Sequence, residues 1–244
     1  MGSVITSTDN ARVKEVLRLR KGGERRRAGL FIAEGPREVG RARAAGLRIV
    51  ETFYAPSLLE WGEGEEVSER VLAKLAYRAE PEGVIAVVEA PRHELPRGAT
   101  LVLVAVGIEK PGNLGAMART AEAAGADALV VSEALADPWN PNAIRASTGA
   151  VFTLPVVEAT LEEVSALETE LVAAVVDAPM RYTDADLATP VAIAVGSEDE
   201  GLPIVWLAAA DRTISIPVAH GSTDSLNAAT AAAVLLFEAV RQRG

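Results

Sequence analysis

The first third of the chain carries short apolar groups separated by charged stretches. Their spacing predicts helices over residues 10–20, 37–45 and 69–76, and strands over residues 30–35, 49–55 and 84–90. A basic stretch at residues 21–27 contains two glycines and predicts a loop. These patterns together predict a small α/β unit.

Beyond residue 100 the apolar runs become longer and recur regularly. Strands are predicted over residues 101–108, 128–132, 151–157, 171–177, 191–196 and 213–218, and helices over 116–124, 161–169, 203–210 and 225–243. Most of these strand runs are unbroken rather than alternating, which is typical of strands covered on both faces. The alternation predicts a parallel α/β sheet, and such sheets bind ligands at the carboxyl ends of their strands.

Between the two patterns lies the stretch 91-PRHELPRGAT-100, with two prolines, one glycine and mixed charge. Such a stretch is typical of a linker. We therefore predict one domain over residues 1–95 and a second over residues 99–244.

Charge is distributed unevenly along the chain. The net charge is −10, yet the segment ending at Arg48 has twelve cations and five acids, a local charge of +7. A basic end on an acidic body fits either a phosphate-rich partner or a solvated basic surface. The chain has no cysteine, which excludes disulfides and thiolate metal sites and fits a cytoplasmic protein. Its apolar runs are too short to span a membrane.

The stretch 111-PGNLG-115 leads into an alanine-rich helix that carries Arg119. A phosphate-binding P-loop would need a lysine after the second glycine, and a dinucleotide fingerprint would need a Gly-x-Gly-x-x-Gly pattern directly after the strand; neither is present. One remaining interpretation is an anion or substrate loop at the helix N-terminus, with Arg119 as a planar charged fork. The other is that Asn113 caps the helix and Arg119 is a surface cation.

Two further stretches accompany this loop: 194-AVGSEDEGLP-203, and 214-ISIP-217 followed by 225-SLN-227 and an alanine-rich helix. The three stretches, in this order, resemble the SpoU/TrmH family of SPOUT RNA methyltransferases. The resemblance extends to 31-FIAEGPREV-39 and 83-GVIAVVEAP-91, which look like the ribosomal-protein-like RNA-binding domain that precedes many members. The stretch 218-VAHGSTD-224 departs from the family pattern, with a valine for the usual methionine and one additional residue.

The resemblance implies a parallel sheet with a deep C-terminal trefoil knot, and S-adenosylmethionine as the cofactor. Carried over to this chain, the cofactor-binding positions are Gly196, Gly201, Ile216 and Leu226. It also implies a homodimer that packs through the knot region and the last helix. The implied reaction is methylation of a ribose 2′-hydroxyl in RNA, with ribosomal RNA favoured by the basic N-terminal domain and tRNA as the alternative.

The candidate catalytic residues implied by the resemblance are Arg119, Asn113, Glu198, Ser225 and Asn227. Because the pKa of a guanidinium lies above about 12, we expect Arg119 to clamp a phosphate and stabilise the developing alkoxide rather than to act as a base. Asn113 is expected to orient Arg119 or the ribose, and Glu198 to fix its loop or Arg119. Ser225 and Asn227 are expected to hydrogen-bond near the reacting groups, although Ser225, like Asn113, is also a natural helix cap.

Other assignments compete with this one. A nicotinamide-dependent oxidoreductase on a doubly wound sheet is disfavoured by the missing dinucleotide fingerprint. A non-catalytic RNA-binding relative is disfavoured by the presence of both Arg119 and Asn227. We predict no metal site, since Asp199 and Glu200 have the character of solvated loop acids. His220 lies in a loop without an evident partner, and we assign it no role.

Overall fold

The computed structural model describes residues 4–133, 135–219 and 225–244. Two sheets organise the described chain, one on each side of residues 90–100. His220 lies outside the described residues, as does most of the variant loop at 218–224.

The N-terminal part is built on a four-stranded mixed sheet. Its helices are α1 (Ala11–Arg18), α2 (Gly22–Ala28), α3 (Pro36–Ala44) and α4 (Glu69–Leu75), and its strands are β1 (Leu30–Glu34), β2 (Ile49–Tyr54), β3 (Glu65–Glu66) and β4 (Val84–Glu89). The strand order is β1-β4-β2-β3, and only the β2–β3 pair is parallel. A buried cluster that includes Val13, Phe53 and Leu72 joins α1 and α4 to one face of this sheet.

The C-terminal part is built on a seven-stranded sheet. The strands are β5 (Leu101–Val106), β6 (Ala128–Ser132), β7 (Val156–Glu158), β8 (Glu170–Ala174), β9 (Met180–Arg181), β10 (Val191–Val195) and β11 (Arg212–Ser215). Their order is β7-β6-β5-β10-β8-β11-β9, and every pairing is parallel. The predicted parallel α/β sheet is confirmed, and its central strands β5 and β10 are buried along their whole length, as their unbroken apolar runs require.

The described part of the chain beyond residue 100 also contains five α-helices. They are α5 (Pro111–Ala123), α6 (Pro141–Ser147), α7 (Leu161–Ser165), α8 (Ile204–Ala209) and α9 (Ala228–Arg243). Helix α5 packs on α6 so closely that a Cβ on Gly115 would lie 2.2 Å from the Ala143 carbonyl oxygen. No helix in the described ranges is long and apolar enough to cross a membrane.

Several element predictions were wrong in instructive ways. The basic stretch 21–27 forms most of α2 rather than a loop: the helix tolerates its two glycines and ends only at Gly29, which adopts the left-handed region (φ 65°). Residues 150–152 form a 3₁₀ turn instead of the start of a strand, and α6 was not predicted. Helix α5 begins at Pro111 rather than near residue 116, since proline is favoured in a first helical turn.

The two sheets share one continuous buried core. Phe31 of β1 is fully buried and stacks on Trp139 and Phe152, with ring centroids 4.9 and 5.6 Å apart. Both of these partners belong to the C-terminal part. The residues between the two sheets form no helix or strand over 90–100.

Candidate active site

A cavity of about 490 Å³ opens at the carboxyl ends of three neighbouring strands, β8, β10 and β11. Its walls come from the residues that follow each strand and from the start of α9. Of the predicted site residues, it is lined by Gly196, Glu198, Gly201, Ile216, Ser225 and Leu226. Loops far apart in sequence meet here because parallel strands place their carboxyl ends on one edge of the sheet.

Gly196 and Gly201 form the tightest part of this wall. Ser197 and Gly201 make an isolated antiparallel bridge, in which the Gly201 N–H donates to the Ser197 carbonyl at 3.1 Å. A Cβ on Gly196 would lie 2.2 Å from the carbonyl carbon of Gly201, and Gly201 has φ +69°. Glycine is therefore required at both positions, at the first by close backbone approach and at the second by its dihedral angle.

A polar cluster ties the three sequence motifs together. Glu198 accepts hydrogen bonds from the side-chain amides of Asn113 and Asn227, the latter at 2.8 Å. Asn227 Nδ2 also lies 3.3 Å from Asn113 Oδ1, and Lys110 Nζ lies 3.9 Å from the second Glu198 oxygen. One carboxylate thus joins the start of α5, the loop after β10 and the start of α9.

Asn227 is the N-cap of α9. Its Oδ1 accepts from the backbone N–H groups of Ala229 at 3.0 Å and Thr230 at 3.4 Å, while its Nδ2 faces Glu198. The cap fixes the amide orientation, because only the oxygen can serve the helix and only the nitrogen can serve a carboxylate.

Two cap predictions are therefore corrected. Ser225 does not cap α9, which starts at Ala228, but lies before it in the wall of the cavity. Asn113 does not cap α5 either, since Lys110 holds the cap position and Asn113 lies within the first turn. Proline at the first helical position moves the helix start ahead of Asn113, which frees its side chain for Glu198.

Arg119 lies on the exposed surface of α5, one turn after Gly115. It is not among the residues that line the cavity, and among the described residues it forms no hydrogen bond or ion pair. Glu198 was expected to fix its loop or Arg119, whereas among the described residues its carboxylate bonds the side chains of Asn113 and Asn227. Asn113 likewise contacts Glu198 and Asn227 rather than Arg119.

Sequence reasoning missed several cavity residues. The segment Ala174–Asp177, which begins at the last residue of β8, lines the cavity together with Leu202 and Val218. These residues reach the cavity because β8 lies beside β10, and the sequence alone does not reveal that strand order. Asp199 and Glu200 also line the cavity from exposed positions, and the described ranges contain no group of three or more metal-ligating side chains.

Comparison with known proteins places this geometry in a family. The model of the SpoU rRNA Methylase family matches residues 100–237, which is more than half of the chain. The chain belongs to the SpoU rRNA methylase family. A second model, described as an MRM3-like substrate binding domain, matches residues 10–86. This SpoU-family chain is also 36% identical over 231 residues to the 23S rRNA (uridine(2479)-2′-O)-methyltransferase of Streptomyces viridochromogenes, covering 87% of this chain and 76% of that protein.

Solved structures agree with the family assignment. A crystal structure of an RNA 2′-O ribose methyltransferase is 41% identical, covers 99% of each chain and superposes with a TM-score of 0.85. The AdoMet-bound rRNA methyltransferase from Sinorhizobium meliloti is 30% identical, covers 98% of this chain and 97% of that chain, and has a TM-score of 0.88. The SpoU-family fold is therefore shared along almost the whole length of the chain.

The cavity fits S-adenosylmethionine, the cofactor of this family. Its volume lies within the range of about 300–1,000 Å³ that is usual for small-molecule sites. Ile214, Ile216 and Leu226 give it apolar walls, and the Gly196–Gly201 loop exposes main-chain groups at its edge. Apolar walls with a few backbone donors and acceptors suit an adenine ring.

Proposed function

We propose that this protein methylates a ribose 2′-hydroxyl of ribosomal RNA, using S-adenosylmethionine. The observation that carries the proposal is the cluster in which Glu198 joins Asn113 and Asn227 at the mouth of a cavity of cofactor size. Family membership and the printed activities of its relatives support the same reaction. Two domains, over residues 1–95 and 99–244, divide the work of RNA binding and methyl transfer.

Gly196, Gly201, Ile216 and Leu226 hold the cofactor in this proposal. The bound cofactor supplies a methyl group that is already electrophilic, because it is attached to a sulfonium. The protein therefore has to place the hydroxyl in line and manage its proton. The glycine loop contributes backbone contacts, and the two aliphatic side chains contribute a water-excluding wall.

Arg119 receives the RNA. An exposed guanidinium without an ion-pair partner among the described residues is available for the phosphate next to the target ribose. Two of its N–H groups can hold the phosphate while the remaining N–H groups stabilise negative charge on the ribose oxygen. Arg119 is thus assigned electrostatic stabilisation, and no base role.

The polar cluster positions the nucleotide. Asn113 and Asn227 each retain hydrogen-bonding capacity beyond the bonds that hold them to Glu198 and the helix. Ser225, at the edge of the cavity, offers a hydroxyl that both donates and accepts. We assign these three side chains to the ribose hydroxyls, with Glu198 keeping the two amides in place.

The N-terminal domain supplies a phosphate-binding surface that we call the basic corner, consisting of Arg18, Arg20, Lys21 and Arg26. Seven of the twelve cations before Ile49 face a carboxylate: Arg12, Lys14, Arg25, Arg27, Arg37, Arg43 and Arg48. Of the other five, Arg41 lies on α3, and the four residues of the basic corner are exposed around the turn between α1 and α2. These four form no ion pair with any described residue, and the Arg20 guanidinium donates to the carbonyl oxygens of Lys74 and Ala76. Unpaired cations release counterions on binding RNA, whereas paired ones must first give up their partners.

Assembly and location complete the proposal. We infer a homodimer through α9 and the preceding loop, where Phe237 is 49% exposed on a helix whose other apolar side chains are largely buried. We also infer that this end of the chain forms the trefoil knot of the family. A ribosomal RNA substrate implies that the protein acts in the cytoplasm.

One experiment tests the proposed reaction. Purified protein is incubated with S-adenosylmethionine carrying a labelled methyl group and with 23S ribosomal RNA transcript, 16S transcript or total tRNA, and the 2′-O-methyl positions are then mapped. We expect label at one nucleotide of ribosomal RNA. Incorporation into tRNA alone would replace the substrate assignment, and the absence of incorporation into any RNA, with cofactor bound, would support a non-catalytic binding protein.

A further inference from the structure

One buried ion pair crosses from the N-terminal part of the chain to the C-terminal part. The Arg25 guanidinium donates to Asp137 Oδ2 from Nε at 2.8 Å and from Nη2 at 2.6 Å. The Arg25 side chain is 3% exposed and that of Asp137 is 15% exposed. These two residues are 112 positions apart.

The rest of the guanidinium is bound to the N-terminal part. Arg25 Nη1 donates to the carbonyl oxygens of Leu19 at 2.7 Å and Arg20 at 2.9 Å, at the end of α1. One side chain therefore fixes the turn between α1 and α2 and holds it against Asp137. The basic corner lies on this turn, since Arg20, Lys21 and Arg26 flank the buried arginine in sequence.

Asp137 is fixed equally well on its own side. Its Oδ1 accepts from the Trp139 backbone N–H at 2.8 Å, and its carbonyl oxygen accepts from the Asn140 N–H at 3.0 Å. Asn140 is the N-cap of α6, and the ring of Trp139 stacks on Phe31 of β1. The carboxylate, the cap and the aromatic stack together make one rigid junction.

Helix α6 leads from this junction to the candidate active site. It begins directly after Asn140 and packs on α5, where Gly115 permits backbone contact with Ala143. Arg119 lies one turn further along α5. The path from the basic corner to Arg119 thus consists of a buried ion pair, one helix cap and one close helix contact.

We propose that Arg25 and Asp137 are positioning residues that hold the basic corner at a fixed distance from Arg119, and so determine which ribose of a bound RNA reaches the active site. The proposal rests on the proposed function, because it assumes that the protein methylates RNA. It assigns neither residue a contact with RNA. Both act by limiting the relative motion of the two domains.

The relative position of the two domains can be tested without measuring methyltransferase activity. The chain has no cysteine, so spin labels can be placed at Ala73→Cys on α4 and Glu162→Cys on α7, both exposed. We expect one narrow distance distribution in the parent protein and a broader one in Asp137→Asn, whose new amide presents N–H groups to a guanidinium that can only donate. Glu170→Gln is the matched control, since Glu170 pairs with Arg212 at 2.7 Å within the C-terminal sheet. An unchanged distribution in Asp137→Asn would overturn the proposal.

Kinetics test the consequence for RNA. With 23S transcript, Asp137→Asn is expected to raise KM about tenfold and to spread methylation onto neighbouring nucleotides, with the dissociation constant for S-adenosylmethionine unchanged. With a short hairpin that carries only the target nucleotide, the variant and the parent should be equally active. An equal loss on both substrates would indicate a merely structural role and overturn the proposal.

A second variant guards against misfolding. Arg25→Lys keeps the charge but replaces the planar fork that reaches Asp137 and the two carbonyl oxygens with a compact ammonium. We expect a rise in KM on the long RNA that is smaller than that of Asp137→Asn. If the parent protein methylates no RNA, the proposed function fails, whereas the distance measurement still decides whether Arg25 and Asp137 fix the two domains.

Discussion

Glu198 and Arg119 carry opposite charges in the same candidate active site, yet the chain holds them differently. Glu198 is largely buried and receives two amide hydrogen bonds, while Arg119 is exposed and has no bonded partner among the described residues. The cavity side is therefore organised before any RNA arrives. In the proposed mechanism, Arg119 acquires its hydrogen-bonding partners only from the RNA. This difference predicts that cofactor binding and catalysis can be impaired separately.

Removing the fork of Arg119 should have the largest effect. Arg119→Lys retains the charge but loses the planar bidentate geometry, so kcat should fall about 100-fold or more. The dissociation constant for S-adenosylmethionine, measured by calorimetry, should stay the same because Arg119 does not line the cavity. Turnover within a few-fold of the parent would rule out the role assigned to this guanidinium.

Gly196→Ala should produce the converse result. The new Cβ would lie 2.2–2.4 Å from backbone atoms of Gly201 and Leu202, so the loop must open and destabilise the protein by about 1–3 kcal/mol. Cofactor affinity should fall about tenfold or more, while RNA binding by gel shift is retained. Gly40→Ala on α3 is the control, because nothing lies within 4 Å of its Cβ. If Gly196→Ala binds the cofactor normally, the loop is not part of the cofactor site.

The residues that line the cavity were also easier to predict from the sequence than the contacts of Glu198 and Arg119. Gly196, Gly201, Ile216 and Leu226 were predicted because the family resemblance carries cofactor binding over to them, and all four line the cavity at the edge where the carboxyl ends of the parallel strands lie. The contribution of Ala174–Asp177 could not be predicted, since it depends on β8 lying between β10 and β11. Likewise, the partners of Glu198 depend on where α5 and α9 begin, and helix ends are set within one or two residues by local caps.

In the N-terminal part of the chain, most helices and strands could be predicted from the sequence, but α2, β3 and the pairing of the charged side chains could not. The strands β1, β2 and β4 follow from their apolar runs, whereas the basic stretch 21–27 forms most of α2 and places Arg25 against Asp137, a contact between distant parts of the chain that no local pattern reveals. A count of cations cannot distinguish the seven that are paired with carboxylates from those that are free to bind RNA. Only the tertiary structure shows which cations are paired, and it narrows the proposed RNA-binding surface from the whole basic segment to the basic corner.

Substitutions in the basic corner provide a third test of the difference between the preorganised cavity and the exposed cations proposed to bind RNA. The triple variant Arg18→Ala, Lys21→Ala, Arg26→Ala should raise KM for 23S RNA about tenfold and flatten the salt dependence of binding by about 0.7–0.9 in slope for each phosphate that is no longer neutralised. The value of kcat at saturating RNA should not change. The control is Arg48→Ala, since Arg48 is exposed but paired with Glu89. Equal effects from both variants would contradict the selection of these residues.

The smallest effect should come from a substitution near the C-terminal end of α9. The N-terminal end of this helix carries Asn227, which belongs to the polar cluster around Glu198. Glu238 accepts hydrogen bonds from Arg241 and Gln242, which lower its pKa to about 2. A carboxylate whose pKa is lower in the folded state stabilises the protein above its unfolded pKa, and this contribution is lost as the pH falls from about 4.5 towards 2. Glu238→Gln should therefore lower Tm by a few degrees at pH 7, and the difference from the parent should shrink through that window. Asn227 caps the start of the same helix, so the variant tests whether α9 acts as one rigid unit. If the affinity for the cofactor falls together with Tm, the cavity depends on the whole helix. If the affinity at 25 °C is unchanged, the cavity requires only the Asn227 cap and its bond to Glu198.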